Sequence, residues 1–594
     1  MSARELITEH LDLWTGAVTK KSSSGRGANG KVELTGIKKL RELILELAVR
    51  GQLIEQESCD TPASILVDEI HSHREKLVDE GNLKKQTKLY DIANADAPYR
   101  LPEGWEWCRM GELAEVIRGV TYKKHQVSEQ PRDEHVALLR ANNIQETITD
   151  ESVVYVPLEL INKRQLITEG DILIAMSSGS ANLVGKAAQA SSEIHATFGA
   201  FCAVIRPLGK KLSLYLGFFT TTPTYRQQAQ ASGKGIGINN LNKKALDNLL
   251  VPVPPIEEQH RIVQKVDELM ALCDRLEQQT SDQLEAHETL VDTLLGTLTQ
   301  SENATELADN WARLATHFDT LFTTEQSIEK LKQTILQLAV MGRLVEQDAG
   351  DEPATKLVER VKADKALLIK NKEIKAQAKL KSTHQEETSR KMPGHWVSAT
   401  LDDLSHVQGG IQKQPKRRPQ EHRYPYLRVA DVQRGFLMAC SDLPEFELFN
   451  DELRQYRLKE GDILVVEGNG SAEEIGRCAI WDGRVPNCVY QNHLMRVRPI
   501  VTNTSDYIAL YLNSPLGINE MKRLAVTSSG LYNLSVGKIR SIPVPLPPLH
   551  EQIRIVQKVD ELMALCDKLK ERLNQANATR SQLAESVVEG ALSA

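Results

Sequence analysis

Apolar residues along this chain fall into two alternating regimes, one of helical period and one of short, β-rich runs. Ile262, Val266, Leu269, Cys273 and Leu276 follow one another at spacings of 4, 3, 4 and 3, and Ile555, Val559, Leu562, Cys566 and Leu569 repeat the pattern. This is the a/d stripe of a helix that buries one seam against another helix. Ile37, Leu40, Ile44 and Leu47 form a shorter stripe of spacing 3, 4, 3, copied by Ile328, Leu331, Ile335 and Leu338. An ordinary bundle core has the same spacing as a coiled coil. Four matched stripes placed symmetrically along the chain favour an internal antiparallel coiled-coil spacer.

The stripes belong to a duplication. The 26 residues from Val251, "VPVPPIEEQHRIVQKVDELMALCDRL", match those from Val544, "VPLPPLHEQIRIVQKVDELMALCDKL", at 21 positions. "GIKKLRELILELAVRGQLIEQ" from Gly36 pairs in the same way with "SIEKLKQTILQLAVMGRLVEQ" from Ser327. Between the helices the pattern changes to strand-like runs such as "GDILIAM", "FGAFCAVIRP" and "GDILVVEG", set among Gly, Ser and Asn turns. These two regions resemble each other only in patches, for example "LLRANNIQ" from Leu138 with "YLRVADVQ" from Tyr426.

The predicted fold class is α/β (α+β), with two mixed α/β domains joined by long antiparallel coiled-coil helices in an internal pseudo-twofold duplication. Expected boundaries are an N-terminal helical region 1–100, a first mixed domain 101–255, a central helical region 256–391, a second mixed domain 392–548 and a C-terminal helix 549–594. "VPVPP" and "VPLPP" read as rigid entries into the long helices, since Pro suits an extended segment and the first helical turn. The Gly/Ser-rich stretch Ser22–Gly30, which has no counterpart in the second half, reads as a flexible loop.

Composition adds boundaries. A chain of 594 residues with 41% apolar and 26% charged residues is too long for one core and reads as a soluble multidomain protein. Its eight cysteines show no C-x-x-C or zinc-ligand spacing, so reduced thiols and no metal site are expected. The first residues lack a basic end followed by an apolar core, and no apolar run approaches the roughly 18 residues of a spanning helix. A cytoplasmic protein is expected. "GSANLVGKA" comes close to a phosphate loop but has five residues between its glycines and ends in Ala. With no H-E-x-x-H or G-x-S-x-G either, no catalytic residue is assigned.

Charge points to a ligand. The net charge is −7, yet residues 101–250 hold 16 Lys+Arg against 15 Asp+Glu, and residues 392–543 hold 18 against 17, so the helices carry the acid. Basic and amide-rich clusters within the mixed domains suit DNA, because Arg and Lys neutralise phosphates while Asn, Gln and Arg bond base edges. In the first domain the candidates are Arg118, Tyr122, Lys123, Lys124, Arg140, Asn142, Asn143, Ser177, Ser178, Ser180, Lys186, Lys234, Asn239 and Asn240. In the second they are Lys413, Lys416, Arg417, Arg418, Arg428, Asn469, Ser471, Arg477, Tyr532 and Asn533. A coiled-coil protein-interaction scaffold without DNA specificity fits the same pattern of stripes.

The doubled "VPxPPxxEQxRIVxKVDELMALCDxL", the paired "KLxxxILxLAVxGxLxxQ" and the divergent domains opening "LPEGWEW" and "MPGHW" closely resemble the DNA-specificity subunit of type I restriction-modification systems. The resemblance implies two target-recognition domains, each reading half of an asymmetric bipartite DNA sequence. It further implies helices that dock two methyltransferase subunits, with restriction subunits in the larger complex. Such partners would use S-adenosylmethionine, ATP and Mg2+, leaving this chain without a cofactor and with the address but not the chemistry of adenine methylation.

Overall fold

The computed structural model describes residues 3–20, 32–85, 88–92, 97–178, 180, 183–232, 239–302, 304–380, 392–438, 440, 442–449, 451–468, 474–525 and 533–593. The stretch Ser22–Gly30 lies outside them. Two compact units divide the chain, Met1–Gln283 with Gln575–Ala594, and Leu284–Asn574. Helices that frame them include α1 (Thr35–Val49), α2 (Lys210–Phe219), α3 (Ile256–Gln300), α4 (Glu325–Val340), α5 (Ser505–Asn513) and α6 (Leu549–Ser593). The long helices α3 and α6 are each 45 residues. Each serves both units, changing allegiance after Gln283 and Asn574 respectively.

In the first unit the α3 seam packs on α1. Ile262, Val266 and Cys273 share a buried cluster with Ile37, Leu40, Ile44 and Leu47, and with Ala584 from the last part of α6, while Leu269 and Leu276 lie at its edge. Arg41 of α1 clamps α3 by donating to Asp274 and Glu277, both at 2.7 Å. The second unit repeats this with α6 on α4. Ile555, Val559 and Cys566 are buried with Ile328, Leu331 and Ile335, and with Val291, Leu295 and Leu298 from the last part of α3, while Leu562 and Leu569 lie at the edge. Lys330 of α4 donates to Glu288 and Asp292 at 2.8 and 2.7 Å. The four stripes thus form two short bundles, each of one short helix and parts of two long ones. The seam ends where the sequence turns polar, at "EQQTSDQ" after Leu276.

The "EQ" of the doubled motif fastens each mixed domain to its helix. Glu258 Oε2 accepts from buried Trp105 Nε1 at 2.9 Å, and Glu551 Oε1 accepts from Trp396 at 3.0 Å. Burial raises both carboxyl pKa values, and the indole hydrogen bond opposes that shift. Gln259 and Gln552 each donate to the proline-entry backbone, at Pro254 O and Pro547 O, 2.8 Å in both copies.

The first mixed domain contains β1 (Ala114–Arg118), β2 (His135–Leu139), β3 (Val154–Pro157), β4 (Ile172–Ala175), β5 (Ser177–Ser178), β6 (Ala187–Gln189), β7 (Ala196–Phe198), β8 (Cys202–Pro207) and β9 (Asn239–Asn240). An antiparallel sheet has the order β1-β8-β4-β6, a second sheet the order β7-β2-β3 with β7 parallel to β2, and β9 pairs with β5. The second mixed domain contains β10 (Ser405–Gly409), β11 (Arg423–Leu427), β12 (Glu445–Glu447), β13 (Ile463–Val466), β14 (Cys478–Ile480), β15 (Val489–Tyr490) and β16 (Leu494–Pro499). It repeats the plan as β10-β16-β13-β14 and β12-β11-β15.

The apolar run "ILIA" serves two cores at once. Its period-2 pleat sends Ile172 and Ile174 to the face packed against α2, and Leu173 and Ala175 to the face packed against the second sheet. Ile463 and Val465 separate from Leu464 and Val466 in the same way.

Candidate nucleic-acid interface

The two sheets of each mixed domain meet where the chain leaving the first strand crosses the turn after the strand parallel to the domain's β2 or β11. At this crossing Gly119 NH donates to Cys202 O and Val120 NH to Phe198 O, at 3.2 and 2.7 Å. A Cβ on Gly119 would stand 2.1 Å from Gly199 O, and one on Gly410 would stand 2.1 Å from Gln491 O. Only glycine permits so close a passage. The crossing is therefore fixed by backbone in both domains, and the loops it organises carry most of the candidate residues.

In the first domain Arg118 ends β1 and is exposed, as are Lys123 and Lys124 just beyond it, while Tyr122 is half-buried. A Cβ on Gly199 would lie 3.7 Å from the Tyr122 ring, which places that ring against the crossing. The next loop is a short 3-10 turn after Arg140, whose Nη2 donates to Ser152 O at 2.8 Å. Asn142 on this turn is exposed. Asn143 is fully buried, its Oδ1 accepting from Arg140 N at 2.9 Å and its Nδ2 donating to Thr149 O and Glu151 O at 3.0 and 2.8 Å. Its amide is saturated by the loop, so Asn143 shapes the turn and offers nothing outward.

The strand pair β5–β9 brings distant candidates together. Ser177 Oγ donates to Asn240 Oδ1 at 2.7 Å, and Asn239 pairs with Ser178 through backbone. Ser178 Oγ accepts from the backbone N–H of Ser180, which is exposed. Lys186 donates to Gln145 Oε1 at 2.8 Å, tying the strand loop to the Asn142 turn. Lys234 lies outside the described residues, as do Asn469, Ser471 and Tyr532 in the second domain.

The second domain presents exposed Lys413, Lys416 and Arg418 after β10. Arg417 among them turns inward, its guanidinium donating to both Glu452 oxygens at 2.9 and 2.8 Å. That pair lowers the Glu452 carboxyl and raises the arginine, mainly through its hydrogen bonds. Arg477 is likewise committed, donating to Glu474 Oε2 at 2.7 Å and to Gln433 Oε1 at 3.3 Å. Arg428 bonds Asp431 at 3.1 and 2.8 Å but remains half-exposed, and Asn533 is exposed. Sequence patterns identify a basic cluster such as "KQPKRR", but not which of its arginines a distant glutamate will claim.

The same rim holds residues absent from the sequence-based set. Gln145 and Gln433 stand at equivalent places, each donating to a turn carbonyl at 2.9 Å. Phe201 and His493 occupy equivalent turns, their carbonyls accepting from Met176 N at 2.8 Å and Glu467 N at 3.0 Å. His493 Nδ1 lies 3.3 Å from Glu467 Oε2. An apolar residue heading the strand-like run "FCAVIRP" gives no signal of an outward position.

Among the described residues, one grouping of metal-ligating type joins exposed Glu57 and Cys59 to half-buried Asp60. Arg261 already engages the Asp60 carboxylate at 3.0 and 2.5 Å.

Residues 102–286 and 393–577 each match the family described as type I restriction modification DNA specificity domain. The chain is similar to the type I restriction enzyme EcoEI specificity subunit of Escherichia coli, 34% identical with all of both chains covered. It is similarly 34% identical to the EcoAI specificity subunit of the same organism, again over both whole chains. A crystal structure of the HsdS subunit from Thermoanaerobacter tengcongensis aligns at 18% identity and a TM-score of 0.39, covering 83% of this chain and 98% of that one.

Proposed function

Because the chain belongs to the family of type I restriction-modification DNA-specificity subunits, we propose that each mixed domain reads one half of a bipartite DNA target through its loop rim. The chain is a specificity subunit with two target-recognition domains, and catalysis lies in partner subunits. The full-length family match sets aside an interaction scaffold without DNA specificity. The recognition domains are assigned to 101–255 and 392–548, between helical regions 1–100, 256–391 and 549–594.

One observation carries the half-site assignment. The two domains share the crossing glycine, the rim hydrogen bonds and the Trp–Glu fastening, but differ at the tips those bonds hold. Asn142 corresponds to Ala430, Ser177 to Gly468, Lys186 to Arg477 and Phe201 to His493. A shared scaffold with different tips is what two modules reading different sequences require. Exposed Arg118, Lys123, Lys124, Lys413, Lys416 and Arg418 are assigned to phosphates, which position the domains. Asn142, Ser180, Lys186, Asn240, Arg428 and Asn533 are assigned to base edges.

The partners follow from the helices. A seam constraint explains matched buried residues, but the matched motif is also identical outward. Gln264, Asp267, Glu268, Ala271 and Leu272 of α3 are exposed, as are Gln557, Asp560, Glu561, Ala564 and Leu565 of α6. Identical outer faces suit two copies of one partner, here the methyltransferase subunit, with restriction subunits joining the larger complex. Among the described residues no helix is long and apolar enough to cross a membrane, in keeping with a protein that works on DNA in the cytoplasm.

Exchanging residues 101–250 for those of a relative tests the reading. Mapping methylated adenines across a genome carrying the hybrid and its partners should show one half-site changed and the other kept. Loss of both half-sites by a folded, assembled hybrid overturns independent reading.

A further inference from the structure

Phe201 has 72% of its surface exposed, more than any other large apolar side chain among the described residues. A single exposed apolar residue is ordinary on a protein surface. What sets this one apart is that its backbone is held from two sides. Its carbonyl accepts from Met176 N at 2.8 Å and Ser177 N at 3.3 Å, and its turn begins at Gly199, under the crossing that admits no Cβ at Gly119. The equivalent turn of the second domain presents His493, also outward, with 61% of its side chain exposed. The scaffold therefore projects one side chain at this place in both domains, and its chemistry differs between them.

The neighbours indicate which feature of DNA it meets. Ser177, whose backbone bonds Phe201, holds the Asn240 amide through its hydroxyl at 2.7 Å. Lys186, whose carbonyl accepts from Ala175 N two residues before Ser177, holds Gln145. Amides and an ammonium match the N6, N7 and O6 groups that purines display in the major groove. In that groove the apolar group on the base edges is the C5-methyl of thymine. We infer that Phe201 reads a thymine in the first half-site by apolar contact with its C5-methyl group. At the matching position of the second domain, His493 beside Glu467 is polar, so the second half-site carries no such contact there. The inference rests on the assignment of the first domain as the reader of one half-site.

The test uses the full chain assembled with its methyltransferase partner and a duplex carrying the target found by methylation mapping. Each thymine of the first half-site is replaced in turn by uracil, which deletes only the methyl group, and Kd is measured. Wild-type complex should lose about fourfold at one thymine, the effect of one methyl group at about 0.8 kcal/mol. Phe201→Ala should bind the thymine duplex more weakly and bind the thymine and uracil duplexes at that position equally, with an unchanged melting temperature. Phe201→Leu should keep part of the discrimination. A Phe201→Ala complex with the same uracil profile as wild type overturns the inference, as does a first half-site without thymine. A uniform loss with the profile intact also overturns it and assigns Phe201 to wedging between base steps instead. Failure of the parent reading looks different, since even the wild-type complex would then show no preference for the first half-site over scrambled sequence.

Discussion

Replacing Leu272 by Lys should remove one methyltransferase subunit from the assembled complex, and replacing Leu565 should remove the other. Leu272 is 49% and Leu565 54% exposed, so about half of each leucine is left for a partner to bury. Burying a whole leucine contributes about 1.5–3 kcal/mol, which makes that half worth roughly 1 kcal/mol. A lysine also places an ammonium where the partner must exclude water, adding at least the ~1–3 kcal/mol of a neutral polar group left without a partner. The sum, roughly 3 kcal/mol, is on the order of a hundredfold in Kd. The helix itself is spared. Glu268 and Glu561 stand four residues before the substituted positions, so the new side chain gains a favourable pair of about 0.3–0.5 kcal/mol. Native mass spectrometry of Leu272→Lys, Leu565→Lys and the double variant, mixed with partner at sub-micromolar concentration, should give one, one and no bound subunits. A single variant that still binds two partners, or that loses both, refutes the docking of equivalent partners on the repeated outer face.

Three further outcomes are expected. Lys123→Ala and Lys124→Ala should each weaken binding to all sequences alike and reduce the slope of log K against log salt by about 0.9, as a salt titration would measure, with neither half-site preference altered. Asn143→Ala should destabilise the first domain by about 2–3 kcal/mol, because it strands a backbone N–H and two carbonyls of the loop, and urea denaturation should report it. A stable Asn143→Ala protein that has lost only its base preference would contradict the structural role given to this residue. His406 is buried near Arg496, Lys365 and Arg498, and burial above all lowers its pKa to about 4. The unfolded chain takes up that proton near pH 6.5, so the contribution is complete above that pH and lost as pH falls towards 4, up to about 3 kcal/mol. Thermal unfolding from pH 7 to pH 4 should therefore be less acid-sensitive in His406→Asn than in wild type.

The duplication and the long helices were legible because each depends on local pattern. A 4, 3, 4, 3 stripe needs only a facing helix to bury it, and the prolines before each long helix need only the extended entry they stiffen. The strands were legible for a similar reason, since a run such as "ILIA" is buried whichever face its residues take. The partner of each seam was not. That α1 covers the α3 seam and α4 the α6 seam depends on the chain returning from far away, as Arg41 does to reach Asp274 and Glu277.

The interface divides along the same line. Sequence alone marked clusters of Arg, Lys, Asn and Ser in the two domains that differ most, and the exposed Lys123, Lys124, Asn142, Lys416 and Arg418 were among them. It could not separate Asn142 from Asn143, or Arg418 from Arg417, because both members of each pair have the same chemistry and adjacent places in the chain. Nor could it single out Phe201, whose type belongs inside. Period and internal repetition determined the duplicated helices and the two divergent domains, and the doubled motifs carried the resemblance to the family. Tertiary structure decided which side chains face outward, since a loop residue's direction is set by its bonds to distant partners such as Glu452 for Arg417, and those partners have no fixed spacing in sequence.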